Sequence, residues 1–346
     1  MPWWEPHSHA DRRPLLALRG RIKAAIRGFF ESQGFTEVEC GILAASPGNE
    51  AHLHAFETEA ILPDASRHRL YLHTSPEFAA KKLLAAGEEK IFEFARVFRN
   101  RERGRLHVPE FTMLEWYRAH TRDSGADYRA VIADALALAR LAGEIAGRPF
   151  TYLEKTCNVF AEAEWLTVTD AFRLHAGIEI LDTLSPEGAG NRDMLATRAK
   201  RAGFQIGDHD GWSDIFSRIL AARVEPKLGL GRPTILYEYP RAEAALARPK
   251  PDDGRLAERF ELYACGVELA NGFGELTDAK EQRARFVAAM DEKERIYGTR
   301  YPLDEDFLAA LAIMPPASGV AMGFDRLVML ASGAPDIRQV LWTPLD

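Results

Sequence analysis

Cysteine is scarce. Cys40, Cys157 and Cys265 are the only three in 346 residues, each more than 100 residues from the next. That spacing excludes a disulfide framework and a CxxC-type metal site, and leaves buried free thiols in a reducing compartment as the expectation. Long apolar runs are missing too. No uninterrupted stretch approaches the ~18–20 residues that span a bilayer. The opening MPWWEPHSHADRRP has no apolar segment of the kind a secretory signal needs, so the chain reads as cytoplasmic with no membrane partner. A basic excess is also absent: 44 Lys and Arg against 51 Asp and Glu leave a net charge of −7. Proteins that live on nucleic acid usually carry a basic surface, so this balance speaks against that habit without excluding a local basic patch. No Walker A, GxSxG or GxGxxG motif stands in a matching context. The pairs His7/His9 and His52/His54 have no third and fourth ligand beside them, so no zinc-type site is expected.

What is present is a composition of 47% hydrophobic and 27% charged residues, enough to bury a large core and too apolar for disorder. Length alone suggests about two domains. Apolar positions at helical spacing predict a helix over residues 15–34, with Pro14 at its start and Gly34 at its end. FTEVE, HLHAFET and HRLYLHT alternate as strands do. A short helix opens at Pro76 and stops at Gly87. IFEFARVFRN and FTMLEWYRAH read as two strands of an antiparallel hairpin with a long polar loop between them. Residues 123–222 read as a helical insertion, after which strands return in PTILYEYP and in ERFELYACGVELANGFGEL. A charged helix is expected over about 278–297, then a strand, a Gly-rich bend and a helix in SGVAMGFDRLVMLASGA. Strands at both ends and no regular βαβ alternation predict an α+β fold with a mostly antiparallel sheet.

Four segments can carry chemistry. The stretch 96–105 holds Arg96, Arg99, Arg101, Arg103 and Arg105, followed by His107. Arginine forks grip phosphate bidentately, but the same stretch also reads as a solvated charged turn. In GVELANGFGEL, Glu268 and Glu275 would share a pocket and hold Mg²⁺ with substrate phosphates if Asn271-Gly272 forms a turn. Two ordinary surface carboxylates on a hairpin are the alternative. Gly319 and Gly323 allow close backbone approach ahead of Arg326, or simply a tight strand-to-helix joint. In TSPEF, Thr74 and Ser75 cap a helix, while Glu77 is placed to meet an amine.

Taken together and in this order, the segments resemble the catalytic core of class II aminoacyl-tRNA synthetases, and within them the lysyl branch. FTEVECGIL resembles motif 1, ARVFRNRERGRLHVPEFTMLEW motif 2 and GVAMGFDRLVML motif 3; PEFTMLE, ELANGF and DRLVML are closest to the lysyl type. The resemblance runs from about residue 14 to 343 and implies one catalytic domain over 1–346. Motif 1 begins near residue 20, which leaves no place for the anticodon-binding domain that precedes it in lysyl-tRNA synthetases. That pattern is similar to the elongation factor P–(R)-β-lysine ligases. They activate (R)-β-lysine with ATP and Mg²⁺ and attach it to a lysine of elongation factor P, and this resemblance makes tRNA an unexpected partner and a homodimer the expected state. Ala321 stands where lysyl-tRNA synthetases have glycine, and one methyl on the floor of an amino-acid site would favour a shifted β-amino group.

The resemblance also implies roles by position. Arg99 and Arg326 would act on the phosphates and adenine, with Phe111 stacking on the base and His107 reaching the outer phosphates. Asn100, Arg101, Val108, Leu269 and Gly323 would complete the ATP site. Glu268 and Glu275 would hold the metal. Ser75, Pro76, Glu77, Tyr117, Glu275 and Ala321 would surround the lysine-like substrate. Three positions depart from the lysyl pattern: Arg101 takes a glutamate's place beside Glu102, Val108 takes an asparagine's, and Cys40-Gly41 replaces Thr-Pro in motif 1. Two rivals stay open, a ligase that charges tRNA or makes a free metabolite, and a non-catalytic regulatory subunit. The second would be expected to have lost Arg99 or Arg326.

Overall fold

In a computed structural model, residues 2–120 and 127–345 are described. The first few residues of the predicted insertion lie outside them. The first helix, α1, is Pro6–Ser32, longer than its pattern suggested. Pro14 lies inside it, because the added turns dock on the C-terminal segment: Arg12 donates to the Leu341 carbonyl and Arg13 covers the Trp342 ring. Gly34 takes a left-handed φ of 76° just past its end. The FTEVE stretch contributes only a two-residue strand, β1 (Thr36–Glu37). β2 (Leu43–Ala44), β3 (Phe56–Ile61) and β4 (Arg67–Leu72) form a separate small sheet in the order β2-β4-β3. α2 (Glu77–Ala86) follows, closed by Gly87 at φ 113°.

The predicted hairpin is β5 (Lys90–Phe98) with β6 (Glu110–Ala119). The stretch read as all helical holds α3 (Arg129–Ala146), α4 (Val168–Ala176), α5 (Arg192–Arg201) and α6 (Trp212–Ile219). It also holds three short strands: β7 (Phe150–Tyr152), β8 (Lys155–Cys157) and β9 (Glu164–Thr167). These strands are too brief to show a period, and β9 exists because it pairs in parallel with β10 (Thr234–Pro240). β11 (Leu256–Ala264), β12 (Val267–Gly274), α7 (Ala279–Tyr297), α8 (Glu305–Leu311), β13 (Ala317–Gly323) and α9 (Phe324–Ser332) complete the chain.

The main sheet runs β1-β5-β6-β13-β12-β11-β10-β9. Its interior pairs are antiparallel, and only the two edge pairs are parallel. Strand periodicity gives it two different faces. On one, Leu114, Trp116, Phe260, Leu262 and Met322 are buried with Ile22 of α1, Leu138 of α3 and Val328 of α9. α4, α5 and α6 build a second core with Leu236, Tyr239 and Tyr263. The alternate residues of the same strands are left facing the other way, and there the chemistry collects.

Candidate active site

That other face floors a cavity of about 1160 Å³. Register defines its floor. Glu261 of β11 lies opposite Asn271 of β12, Asn271 opposite Ala321 of β13, Ala321 opposite Glu115 of β6, and Glu115 opposite Glu93 of β5. A second row runs Arg259, Phe273, Gly319, Tyr117. Gly319 admits no side chain: a Cβ there would sit 2.4 Å from the Tyr117 ring and 2.5 Å from Glu275 Oε1.

One end of the cavity is a blind, acidic pocket. Lys81 of α2 is fully buried and pairs with Glu77, one turn earlier, and with Glu275 at 2.6 Å. Burial alone would lower the Lys81 pKa, but the two carboxylates outweigh it and hold the ammonium charged. Glu275 is itself pushed up to about 8, chiefly by burial. Glu115, also buried, accepts hydrogen bonds from Ser75 Oγ (2.6 Å) and Tyr117 Oη (2.8 Å). Burial, then the charge of Glu77, pushes it up to about 8. Three carboxylates share one lysine, so Glu115 and Glu275 tend to hold their protons, and a substrate ammonium would supply the positive charge that returns them to the carboxylate form.

The other end is cationic and more open. Asp325, at the start of α9, is locked by Arg19 of α1 and by the Thr112 N–H (2.8 Å), and this fixes the turn that presents Arg326. Arg326 donates to the Glu268 carbonyl (3.0 Å) and to His107 Nε2 (2.7 Å). Burial and then the Arg326 charge keep His107 below its ordinary pKa, so it is neutral near pH 7. Arg99 donates to the Thr74 carbonyl at 3.2 Å and lies 5.4 Å from the centre of the Phe111 ring.

Between these ends sits a carboxylate pair different from the expected one. Asn271-Gly272 does not turn; both lie within β12, and the turn falls at Cys265-Gly266, both with positive φ. A regular strand would put Glu268 and Glu275, seven apart, on opposite faces. The register slips by one, Leu262 facing Ala270 and Tyr263 facing Glu268, so Leu269 bulges and Glu268 swings to the cavity side. Glu275 is nonetheless occupied by Lys81. The carboxylate beside Glu268 is Glu261, two residues along β11 from the Tyr263 that Glu268 faces, and burial and then the charge of Glu268 push the Glu261 carboxyl up. Arg259 (2.6 Å) and Tyr263 Oη (2.6 Å) orient Glu261. Among the described residues no three His, Cys, Asp or Glu are arranged to hold a metal by themselves. Two neighbouring carboxylates on one face of β11 and β12 suit Mg²⁺, which keeps few protein ligands and takes the rest from phosphates and water.

The family description tRNA synthetases class II (D, K and N) matches residues 7–346. The chain belongs to this class II synthetase family. Its relatives include proteins named elongation factor P–(R)-β-lysine ligase. The one from Haemophilus influenzae (strain PittGG) is 40% identical over 99% of this chain and 98% of its own length. The one from Klebsiella pneumoniae (strain 342) is 40% identical over the same shares. That from Proteus mirabilis (strain HI4320) is 39% identical over 99% and 97%.

Within this class II core the cavity gathers most of the expected residues. Ser75, Glu77, Tyr117, Glu275 and Ala321 line the acidic end. Arg99, His107, Val108, Phe111, Glu268, Leu269, Gly323 and Arg326 line the rest. Pro76 caps α2 and does not reach the cavity. Asn100 and Arg101 also fall outside it. Asn100 bonds its N–H to the His54 carbonyl and accepts from Arg101 N–H, while Arg101, at φ 68°, lays its guanidinium 5.5 Å from the Tyr297 ring centre. Glu102 takes the inward place instead. Sequence reasoning missed Glu115, Glu261, Lys81 and Arg259. The alternation in FTMLEWY was enough to put Glu115 on the same face as Tyr117, and ERFEL enough to pair Arg259 with Glu261; Lys81 lies one helical turn from Glu77. No helix among the described residues is long and apolar enough to cross a membrane.

Proposed function

We propose that the protein is an ATP-dependent ligase that activates (R)-β-lysine as an aminoacyl-adenylate and transfers it to the ε-amine of a lysine on elongation factor P. One observation carries the reading: the acidic pocket, where three carboxylates share one lysine, has Ala321 seated directly between Glu115 and Asn271 on its floor. A diammonium amino acid supplies the positive charge that keeps those carboxylates ionised, and the Ala321 methyl occupies space that an α-amino group would need. The near-full-length likeness to ligases of that name supports the same choice over a tRNA-charging enzyme or a non-catalytic subunit.

In the first step a substrate carboxylate oxygen attacks the α-phosphorus of ATP and the bond to the bridging oxygen breaks, releasing pyrophosphate. Glu77, Glu115, Glu275 and Tyr117 hold the amines, which fixes where the carboxylate lies. Arg99 stabilises charge on the α-phosphate, and Arg326 and Phe111 hold the adenine from either side. Mg²⁺, when bound, would be held by Glu261 and Glu268 and would neutralise phosphate charge. We place the chain in the cytoplasm, where free thiols persist, and, on the family resemblance, read it as one catalytic domain with an insertion and as a homodimer.

The test is ATP–pyrophosphate exchange with α-lysine and (R)-β-lysine, followed by the mass of elongation factor P. Exchange faster with (R)-β-lysine, and a mass gain of one lysyl group, are expected. No exchange with either amino acid would overturn the enzyme reading. Exchange without a mass gain would overturn the protein acceptor and favour a free product.

A further inference from the structure

The loop 46–55 joins β2 to β3 and borders the cavity, and its polar groups are tied down from several directions. Thr74 Oγ1 donates to the Pro47 carbonyl (2.7 Å), and buried Asn49 donates to the Pro302 carbonyl (3.2 Å). Lys293 of α7, fully buried, donates to the carbonyls of Ala51 (2.9 Å) and Leu53 (2.6 Å). The Asn100 N–H reaches the His54 carbonyl (2.7 Å), and the Ala55 N–H reaches Tyr301 Oη (3.0 Å). One charged group in this anchored loop is left over. Glu50 has no hydrogen bond or ion pair among the described residues, and its accessible side chain opens into the cavity.

Charges from both ends of the cavity act on it. The charges that bear on Glu50 most strongly are Arg99, from the phosphate end, and Glu77, from the amine end, followed by Arg259 of β11 and Lys293 of α7. The carboxylates of the amine end and of the sheet floor are already engaged: Glu77 and Glu275 with Lys81, Glu115 with Ser75 and Tyr117, Glu261 with Arg259. Resting on the ligase reading above, we propose that Glu50 is the proton acceptor of the transfer step. Glu50 takes a proton from the acceptor lysine's ammonium, which frees the ε-nitrogen lone pair to bond to the adenylate carbonyl carbon. As that bond forms, the bond from the carbonyl carbon to the phosphate oxygen breaks and AMP leaves with the electron pair. The nitrogen's second proton passes to water, and an amide remains. The cavity walls, then Glu77, raise the Glu50 carboxyl above its ordinary range against the pull of Arg99, which strengthens it as a base.

The test uses the full chain with Glu50→Gln and elongation factor P as acceptor. ATP–pyrophosphate exchange with (R)-β-lysine is expected to stay within about twofold. Single-turnover transfer from the preformed adenylate should fall about 10²-fold near neutral pH. That deficit should shrink as pH rises toward the ordinary lysine pKa of about 10.4, where the acceptor amine is already free. Hydroxylamine, neutral at pH 7, should be acylated at the parent rate, and Glu50→Asp should keep most of the transfer. Unchanged transfer, a deficit that does not vary with pH, or an equal loss in exchange each overturns the proposal, the last by making Glu50 a binding group. If the parent protein itself gives no exchange or does not modify elongation factor P, the ligase reading fails, and this inference with it.

Discussion

The two ends of the cavity solve charge recognition in opposite ways. At the acidic end the ionisable groups are buried or nearly so and held by protein partners: Lys81 with Glu77 and Glu275, Glu115 with Ser75 and Tyr117. These groups stand on the sheet floor and on α2, elements fixed by the core. At the cationic end the arginines are partly open and rest on substitutes, a carbonyl and a ring for Arg99, a carbonyl and an imidazole for Arg326. Such partners are exchangeable, since a phosphate oxygen binds a guanidinium better than a carbonyl does. The acidic end is therefore part of the fold's stability, whereas the cationic end can be altered with the fold left intact.

The strongest way to break this comparison is Lys81→Met. It removes the one cation between two buried carboxylates, and a loss of about 3–5 kcal/mol in denaturant unfolding is expected. Adding Glu275→Gln should return part of that loss, because the orphaned carboxylate is its source. A Lys81→Met protein as stable as the parent would show that the acidic end is not structural.

Arg326→Ala probes the other end and should give the reverse signature. Pyrophosphate exchange should drop about 10²–10³-fold, as when a positioned charge donor is removed. Stability should change by only about 1–2 kcal/mol, the cost of the hydrogen bonds to Leu106 and Glu268. A stability loss equal to that of Lys81→Met would erase the contrast.

The same contrast explains what could be read from the sequence. Local rules located the hairpin β5–β6, the strand–bend–helix at β13–α9, and the segments carrying Arg99, Glu268 and Arg326, because period and motif order are local properties. Two features were not local. The bulge at Leu269 reverses which face Glu268 occupies, and it is visible only in the pairing with β11. An Asn271-Gly272 turn would bring Glu275 beside Glu268; with the turn at Cys265-Gly266, the carboxylate beside Glu268 is Glu261 on the neighbouring strand. Arg101 was misplaced for a similar reason, since its positive φ and the Tyr297 ring contributed by α7 turn it away from the cavity. Residues set by register, or by an element 200 residues distant, leave no periodic trace.

The smallest and sharpest expected effect is at Ala321. Its neighbours across the strands are Glu115 and Asn271, and it packs against the small cluster of Ala95, Val97 and Met113. Replacing it with glycine removes one methyl from the floor without touching an ion pair, so stability should shift by about 1 kcal/mol or less, much as any exposed Ala→Gly change in regular structure does. What should move is the choice of substrate. A methyl-sized change in such a site is worth about 1–3 kcal/mol of discrimination. Ala321→Gly should therefore raise the kcat/KM of α-lysine relative to (R)-β-lysine by about 10–200-fold, measured by pyrophosphate exchange with each isomer. The direction matters more than the size. If the ratio stays fixed, the Ala321 methyl does not select the isomer. The burden then falls on the carboxylates around it, and above all on how Glu115 and Glu275 divide the two substrate ammonium groups between them.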